Sequence, residues 1–165
     1  MIGIEFNSLI DLVKTFPTEQ DCINHLEWLR WNGYVVSPFD PTSKVYKCKG
    51  GKYRCKNTGK YFNVRTNTLF DNTKVELIKW FMAIWLVTVH KKDISSLQLA
   101  RDIDVTQKTA WFLLQRIRKC FGYKNDHDLN NKVEIDKTPM LSMMEHSSRI
   151  MARKVESTSI EHITS

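Results

Sequence analysis

The sequence predicts an α+β protein: two N-terminal helices, a small β meander, a three-helix unit ending in a helix-turn-helix, and a short strand-rich region at the end. Three observations predict it. The stretch KKDISSLQLARDIDVTQKTAWFLLQRIRKCF, from Lys91 to Phe121, reads as two short helices around a tight turn. Between Ser37 and Phe70 the pattern shifts to period two, punctuated by Gly50-Gly51 and Asn57-Thr58-Gly59. Between them, Lys74 to Val89 is apolar nearly all round, as in a helix buried on several sides.

At the N-terminus, Asn7 or Ser8 begins a short helix that runs through Phe16. Thr18 caps a second helix. Glu19 and Asp21 stand in its first turn, where the helix dipole favours anions, and Gly33 closes it. Ile23, Leu26, Trp28 and Leu29 give this helix a buried side.

In the meander, Val45 to Cys48 forms one strand, Lys52 to Lys56 the returning strand, and Lys60 to Val64 a third. It carries Lys44, Lys47, Lys49, Lys52, Arg54, Lys56, Lys60 and Arg65 with no acid among them. Cations of this kind track phosphates, and Lys52, Arg54 and Lys56 are the candidates for that contact. The interleaved Tyr46, Tyr53, Tyr61 and Phe62 could stack on bases or pack the sheet, and packing is the expectation.

Asn72 or Thr73 caps the apolar helix of Lys74 to Val89, whose Leu77, Ile78, Trp80, Phe81, Ile84, Trp85 and Val87 form a scaffold for the next pair. Ser95 or Ser96 caps the first helix of that pair, with Leu97, Leu99, Ala100 and Ile103 on its apolar side. Asp102 to Val105 makes the turn, and Thr106 caps the second helix. Ala110, Leu113, Leu114, Ile117 and Phe121 recur at helical spacing and face a core. Gln107, Lys108, Trp111, Gln115 and Arg118 lie on the other side, flanked by Thr109 and Arg116. A recognition helix needs hydrogen-bonding residues near its N-terminus to reach base edges and cations nearby to hold phosphates. Thr106, Gln107, Lys108, Thr109 and Trp111 fit the first need, and Arg116 and Arg118 the second. An amphipathic helical hairpin with a solvated face fits the same pattern.

Composition narrows the partner. The 165 residues carry a net charge of +7 and a pI near 9.3. That balance favours a polyanion, either nucleic acid or an anionic membrane surface. The most apolar segment, Val75 to Val89, is shorter than the roughly 20 residues that span a bilayer, so no membrane partner is expected. The opening MIGIEFNSLIDLV lacks the basic region and apolar run of a secretion signal. The four cysteines, Cys22, Cys48, Cys55 and Cys120, form no Cys-x-x-Cys pair. A reducing cytoplasmic, nucleoid-associated location follows as the expectation.

The run LFDNTKVELIKWFMAIWLVTVHKKDISSLQLARDIDVTQKTAWFLLQRIR resembles the helix-turn-helix region of a bacterial insertion-sequence transposase family, the one numbered fifteen ninety-five, with an ISXO-two-like catalytic domain. The resemblance is dense from Thr66 to Arg118. It continues more loosely upstream through Phe16-Pro17-Thr18-Glu19, Arg30-Trp31 and Tyr53-Arg54-Cys55-Lys56. It implies an N-terminal zinc ribbon, a helical DNA-binding unit, and an RNase H-like domain whose acidic triad cuts and joins DNA with divalent metal. It also implies double-stranded DNA, the terminal inverted repeats of the element, as partner.

Set on that plan, the chain divides into N-terminal helices (1–36), a degenerate zinc-ribbon-like meander (37–70), the helix-turn-helix unit (71–122), a linker (123–132) and a truncated remnant of the RNase H-like domain (133–165). At the four ligand positions of the family's ribbon this chain has Ser37, Asp40, Cys55 and Thr58. Structural zinc takes four ligands, mostly thiolate or imidazole. Cys55, the off-pattern Cys48 and Asp40 fall one short, so the expectation is no zinc. Asp136, in Val133-Glu134-Ile135-Asp136, matches the first acid of the triad; none of Glu145, Glu156 and Glu161 matches another. Cleavage needs two metal ions held by several carboxylates. The expectation is a DNA-binding transposase fragment, catalytically inactive, without a divalent metal unless the triad is completed. The alternatives are an interaction protein that pairs with an intact transposase and inhibits it, or a relic without function; a second copy of the chain or an intact transposase is the protein partner expected.

Overall fold

The computed structural model describes residues 6–90 and 94–120. Among these the order is α1 (Leu9–Thr15), α2 (Glu19–Trp31), β1 (Val45–Lys47), β2 (Tyr53–Cys55), β3 (Tyr61–Phe62), α3 (Leu77–Val89), α4 (Ser96–Asp102) and α5 (Gln107–Cys120). The chain is α+β, with five helices and one small antiparallel sheet in the described part. Phe121, the linker, Asp136 and the whole expected catalytic remnant lie outside the described residues.

The N-terminal helices start where their caps dictate. The Ser8 hydroxyl accepts from the Asp11 N–H at 3.2 Å. Thr18 and Asp21 form a reciprocal capping box, with Asp21 N–H to Thr18 Oγ1 at 3.2 Å and Thr18 N–H to the Asp21 carboxylate at 3.1 Å. The left-handed stop of α2 falls on Asn32, at φ +45°, one residue before the glycine expected to provide it. Asparagine tolerates that conformation better than most side chains. The buried side of α2 is Cys22, Leu26 and Trp31. Trp28, expected inside, is exposed, and Trp31 takes the inner position because it packs edge-on against the sheet aromatics.

The sheet has the order β1-β2-β3, antiparallel throughout. Tyr46 faces Arg54, and Arg54 faces Tyr61, in Cα register. On the inner face, Tyr53 and Phe62 stack with centroids 5.7 Å apart, and Trp31 meets them at 5.2 Å and 6.1 Å. Tyr46 and Tyr61, expected to pack the meander, sit on the outer face instead. The half-buried Arg30 joins α2 to the segment after β3, donating to the carbonyls of Asn63 (3.3 Å) and Val64 (2.8 Å).

α3 begins at Leu77, three residues later than its apolar pattern suggests. Neither Asn72 nor Thr73 caps it. Asn72 adopts φ +56°, and the Thr73 hydroxyl accepts from Val75 N–H within the preceding turn. The cap comes from α2: the two Glu19 oxygens accept from Leu77 N–H at 3.2 Å and 2.9 Å, and the same carboxylate pairs with Arg65. Arg65 in turn donates to the Val75 carbonyl at 3.0 Å. Leu77, Trp80, Phe81, Ala83, Ile84 and Leu86 are buried, and α3 packs on α1, α2 and α5. Full burial of one such side chain stabilises by about 1.5–3 kcal/mol.

α4 and α5 share the most extensive helix contact in the described structure. Ser95 caps α4 through Gln98 N–H at 3.1 Å. The chain turns at Asp104, φ +52°, and Lys79 of α3 donates to the Asp104 carbonyl at 2.8 Å. Thr106 Oγ1 accepts from Thr109 N–H at 3.2 Å and starts α5. Leu99, Ala100, Ile103, Ala110, Leu113, Leu114 and Ile117 are buried. Leu97, expected on the apolar side of α4, is exposed.

Candidate nucleic-acid interface

The N-terminal half of α5 presents Thr106, Gln107, Lys108 and Trp111 to solvent, with Trp111 57% exposed. Gln115 continues this face one turn on. Thr109 is half-buried, and its hydroxyl lies 2.9 Å from that of Thr106. Gln107 Nε2 reaches toward the Ser96 hydroxyl of α4 at 3.5 Å, a long contact that leaves the amide available. No acid occurs between Gln107 and Cys120. The face therefore combines amide and ammonium donors, a hydroxyl and an indole on one rigid helix, and no carboxylate that would repel phosphate.

The two arginines of this helix have a different place. Arg116 is half-buried. Its Nη1 donates to the carbonyls of Leu69 (3.1 Å) and Asp71 (2.5 Å), and its guanidinium lies 5.1 Å over the Phe112 ring. These carbonyls belong to the turns before α3, so Arg116 ties α5 to the scaffold. Arg118 Nη2 donates to the Ile94 carbonyl at 3.4 Å, at the entry to α4. The geometry gives both residues bracing contacts inside the fold.

The meander supplies a second basic surface. Lys52, Arg54 and Lys56 are all exposed, as are Lys44, Lys47, Lys49 and Lys60. Arg54 lies 5.9 Å over the Tyr61 ring. In contrast, Arg65 is engaged with Glu19 and serves the fold.

The four positions that correspond to ribbon ligands do come together, in a hydrogen-bonded knuckle. The Cys55 side chain is fully buried. Burial opposes its ionisation, but hydrogen bonds from the Ser37, Ser43 and Thr58 hydroxyls and from the Thr58 N–H outweigh it, holding the thiol down to about 6. The Ser37 hydroxyl also accepts from Phe39 N–H at 3.1 Å and Asp40 N–H at 3.4 Å. The Asp40 carboxylate accepts from Asn57 Nδ2 at 2.7 Å, and from the Thr42 hydroxyl at 2.7 Å and N–H at 2.9 Å. Those bonds, Asn57 foremost, lower its pKa. Cys48 lies at the far end of β1, its thiol 3.7 Å from the Tyr46 carbonyl. It is three residues beyond Val45, the β1 partner of Cys55. Among the described residues no group of three or more His, Cys, Asp or Glu side chains is arranged to hold a metal. One thiol, two hydroxyls and a carboxylate committed to Asn57 and Thr42 do not fit structural zinc.

Ser43, Asn57, Glu19 and Lys79 carry roles that the sequence did not reveal. A buried serine that accepts from Asn57 N–H at 3.0 Å leaves no periodic signal. The density of Ser, Thr, Asp and Pro from Ser37 to Ser43 is the one hint of a side-chain-bonded turn.

No family model matches the chain, and no solved structure matches it. It is similar to a protein of Halobacterium salinarum, an uncharacterized protein in the transposable element ISH50, with 34% identity over 130 residues. The match takes in 75% of this chain and 42% of that relative, so the chain spans less than half of the relative's length. Among the described residues, no helix is long and apolar enough to cross a membrane.

Proposed function

We propose that this chain is the DNA-binding part of an insertion-sequence transposase, with α4 and α5 acting as a helix-turn-helix. The observation that carries the reading is the acid-free N-terminal face of α5, held outward by the burial of Ala110, Leu113, Leu114 and Ile117. The similarity to a protein of a transposable element supports the choice of DNA as the polyanion. On this reading Gln107, Lys108, Thr109 and Trp111 meet base edges or the groove wall. Lys52 and its neighbours hold phosphates. Arg116 and Arg118 act indirectly, by fixing the angle at which α5 is presented.

The ribbon-like knuckle, on the same reading, is held by hydroxyl and amide bonds around Cys55 without zinc. Strand cleavage is not assigned to these residues. Within the 165, Asp136 is the one acid matched to a catalytic triad, and a single carboxylate does not hold the two metal ions that strand transfer needs. Metal-dependent nicking by the purified chain, lost on Asp136→Ala, would overturn that part.

Single substitutions test the DNA reading. Lys108→Ala is expected to weaken binding to a terminal repeat while leaving binding to scrambled duplex nearly unchanged. Lys52→Ala is expected to weaken both and to lower the slope of log K against log salt by about 1. Equal losses on both duplexes from Lys108→Ala would remove α5 as a sequence reader.

A further inference from the structure

The outer face of the sheet carries a row that neither the core nor α5 explains. Tyr46 of β1, Arg54 of β2 and Tyr61 of β3 stand directly opposite one another across the three strands. Opposed residues of antiparallel strands share a face. Tyr53, Cys55 and Phe62 occupy the other face and are buried. Tyr46 is 42% exposed and Tyr61 60%. Two strand spacings separate them, about 10 Å, with Arg54 on the strand between them and its guanidinium 5.9 Å over the Tyr61 ring. Lys44 Nζ lies 5.7 Å from the Tyr46 ring. No acid occurs from Pro41 to Phe70 to neutralise this face.

We propose that this face binds single-stranded DNA, stacking unpaired bases on Tyr46 and Tyr61 while Arg54 and Lys44 meet the phosphates. Cations alone would serve a duplex, whose exterior is phosphate and groove edge. Aromatic rings beside them find a partner only where base faces are open, which in DNA means unpaired nucleotides. A sheet is suited to this because its register fixes the spacing of the rings in advance. The face is separate from α5; it rests on the DNA-binding reading for the class of its partner and not for its geometry.

The test is fluorescence anisotropy with an oligothymidylate of about 12 nucleotides and a blunt duplex of arbitrary sequence. Wild type, Tyr46→Leu, Tyr61→Leu, Tyr61→Phe and Lys108→Ala are compared. Both rings are at the surface, so the leucine variants are expected to keep the far-UV spectrum of wild type. Each is expected to lower affinity for the oligothymidylate by roughly 5- to 150-fold, leave duplex affinity within about twofold and leave the salt slope unaltered, since no charge is removed. Tyr61→Phe keeps the ring and is expected to bind as wild type. Lys108→Ala is expected to leave the oligothymidylate unaffected. Absence of binding to the oligothymidylate by wild type overturns the proposal whatever the duplex does. So does an equal loss on both ligands in the leucine variants. Failure of the α5 reading would show separately, on a duplex bearing the terminal repeat, as an affinity insensitive to Lys108→Ala.

Discussion

Glu19 shows how far one side chain can reach in this fold. It stands in the first turn of α2, caps α3 through Leu77 N–H and pairs with Arg65. The pair is partly solvated, which screens the ionic contribution. Glu19→Ala is expected to cost about 1–2 kcal/mol, most of it from the lost cap, measured as a shift of the urea midpoint with unchanged slope; a loss below a few tenths would deny the cap. Three other residues shape the pH dependence. Burial lowers the pKa of His25, whose Nε2 has no hydrogen-bond partner among the described residues, so charging it opposes folding and stability falls as pH drops through the unfolded value of 6.5. Cys55 is held down to about 6 against an ordinary 9.0, so its thiolate adds stability that is complete above 9.0 and lost as pH falls to about 6. Above 9.0 Cys22, pushed up to about 12 by burial and by Glu19 and Asp21, acts in the opposite direction. Thermal melts are therefore expected to rise in Tm from about 6 to 9.0, with Cys55→Ser abolishing that rise and His25→Gln abolishing the acid-side fall. A wild-type Tm flat across the upper window would contradict the thiolate.

At the scale of elements, α3 is the hub. Phe81 meets Phe16 edge-on at 5.1 Å and Phe70 at 6.3 Å. Phe81→Ala is expected to cost about 3–5 kcal/mol, measured by urea unfolding, and a loss under about 1 kcal/mol would show that α3 does not hold the layers together. Most elements were legible because their signals are local. The Thr18 capping box, the glycine turns of the meander and the three-to-four spacing of Ala110, Leu113, Leu114 and Ile117 each specify structure within a few residues. Three of the misplacements share one cause, which is contact distant in sequence. Trp28 and Trp31 compete for the inner side of α2, and only the sheet, brought back against it, decides for Trp31. Residues 74–76 have helical composition, yet the cap that sets the start of α3 is a carboxylate far upstream. Tyr46 differs from Tyr53 only in parity, and parity depends on strand register. At the candidate interface the exposed positions of α5 were readable from periodicity. The bracing of Arg116 by the Leu69 and Asp71 carbonyls was not, because those carbonyls lie in a turn that carries no pattern.

For the whole molecule, a net charge of +7, an acid-free sheet face and an acid-free α5 point to one class of partner. The knuckle around Cys55 bears on how that basic surface is held. If hydroxyl and amide bonds hold it, a strong chelator is expected to leave Tm and DNA affinity unchanged, and the purified chain is expected to carry less than about a tenth of an equivalent of zinc, measured by elemental analysis. Stoichiometric zinc that lowers Tm on removal would contradict this, because structural zinc contributes folding energy directly. Whether α5 reads DNA sequence is decided by fluorescence anisotropy of the wild-type chain. The ligands are a duplex bearing the terminal inverted repeat of a related element and a scrambled duplex, each titrated across salt. A sequence-reading α5 binds the repeat more tightly at every salt concentration, with a steep salt slope on both. Equal affinity for the two duplexes would contradict it and leave a basic surface without a sequence-reading helix.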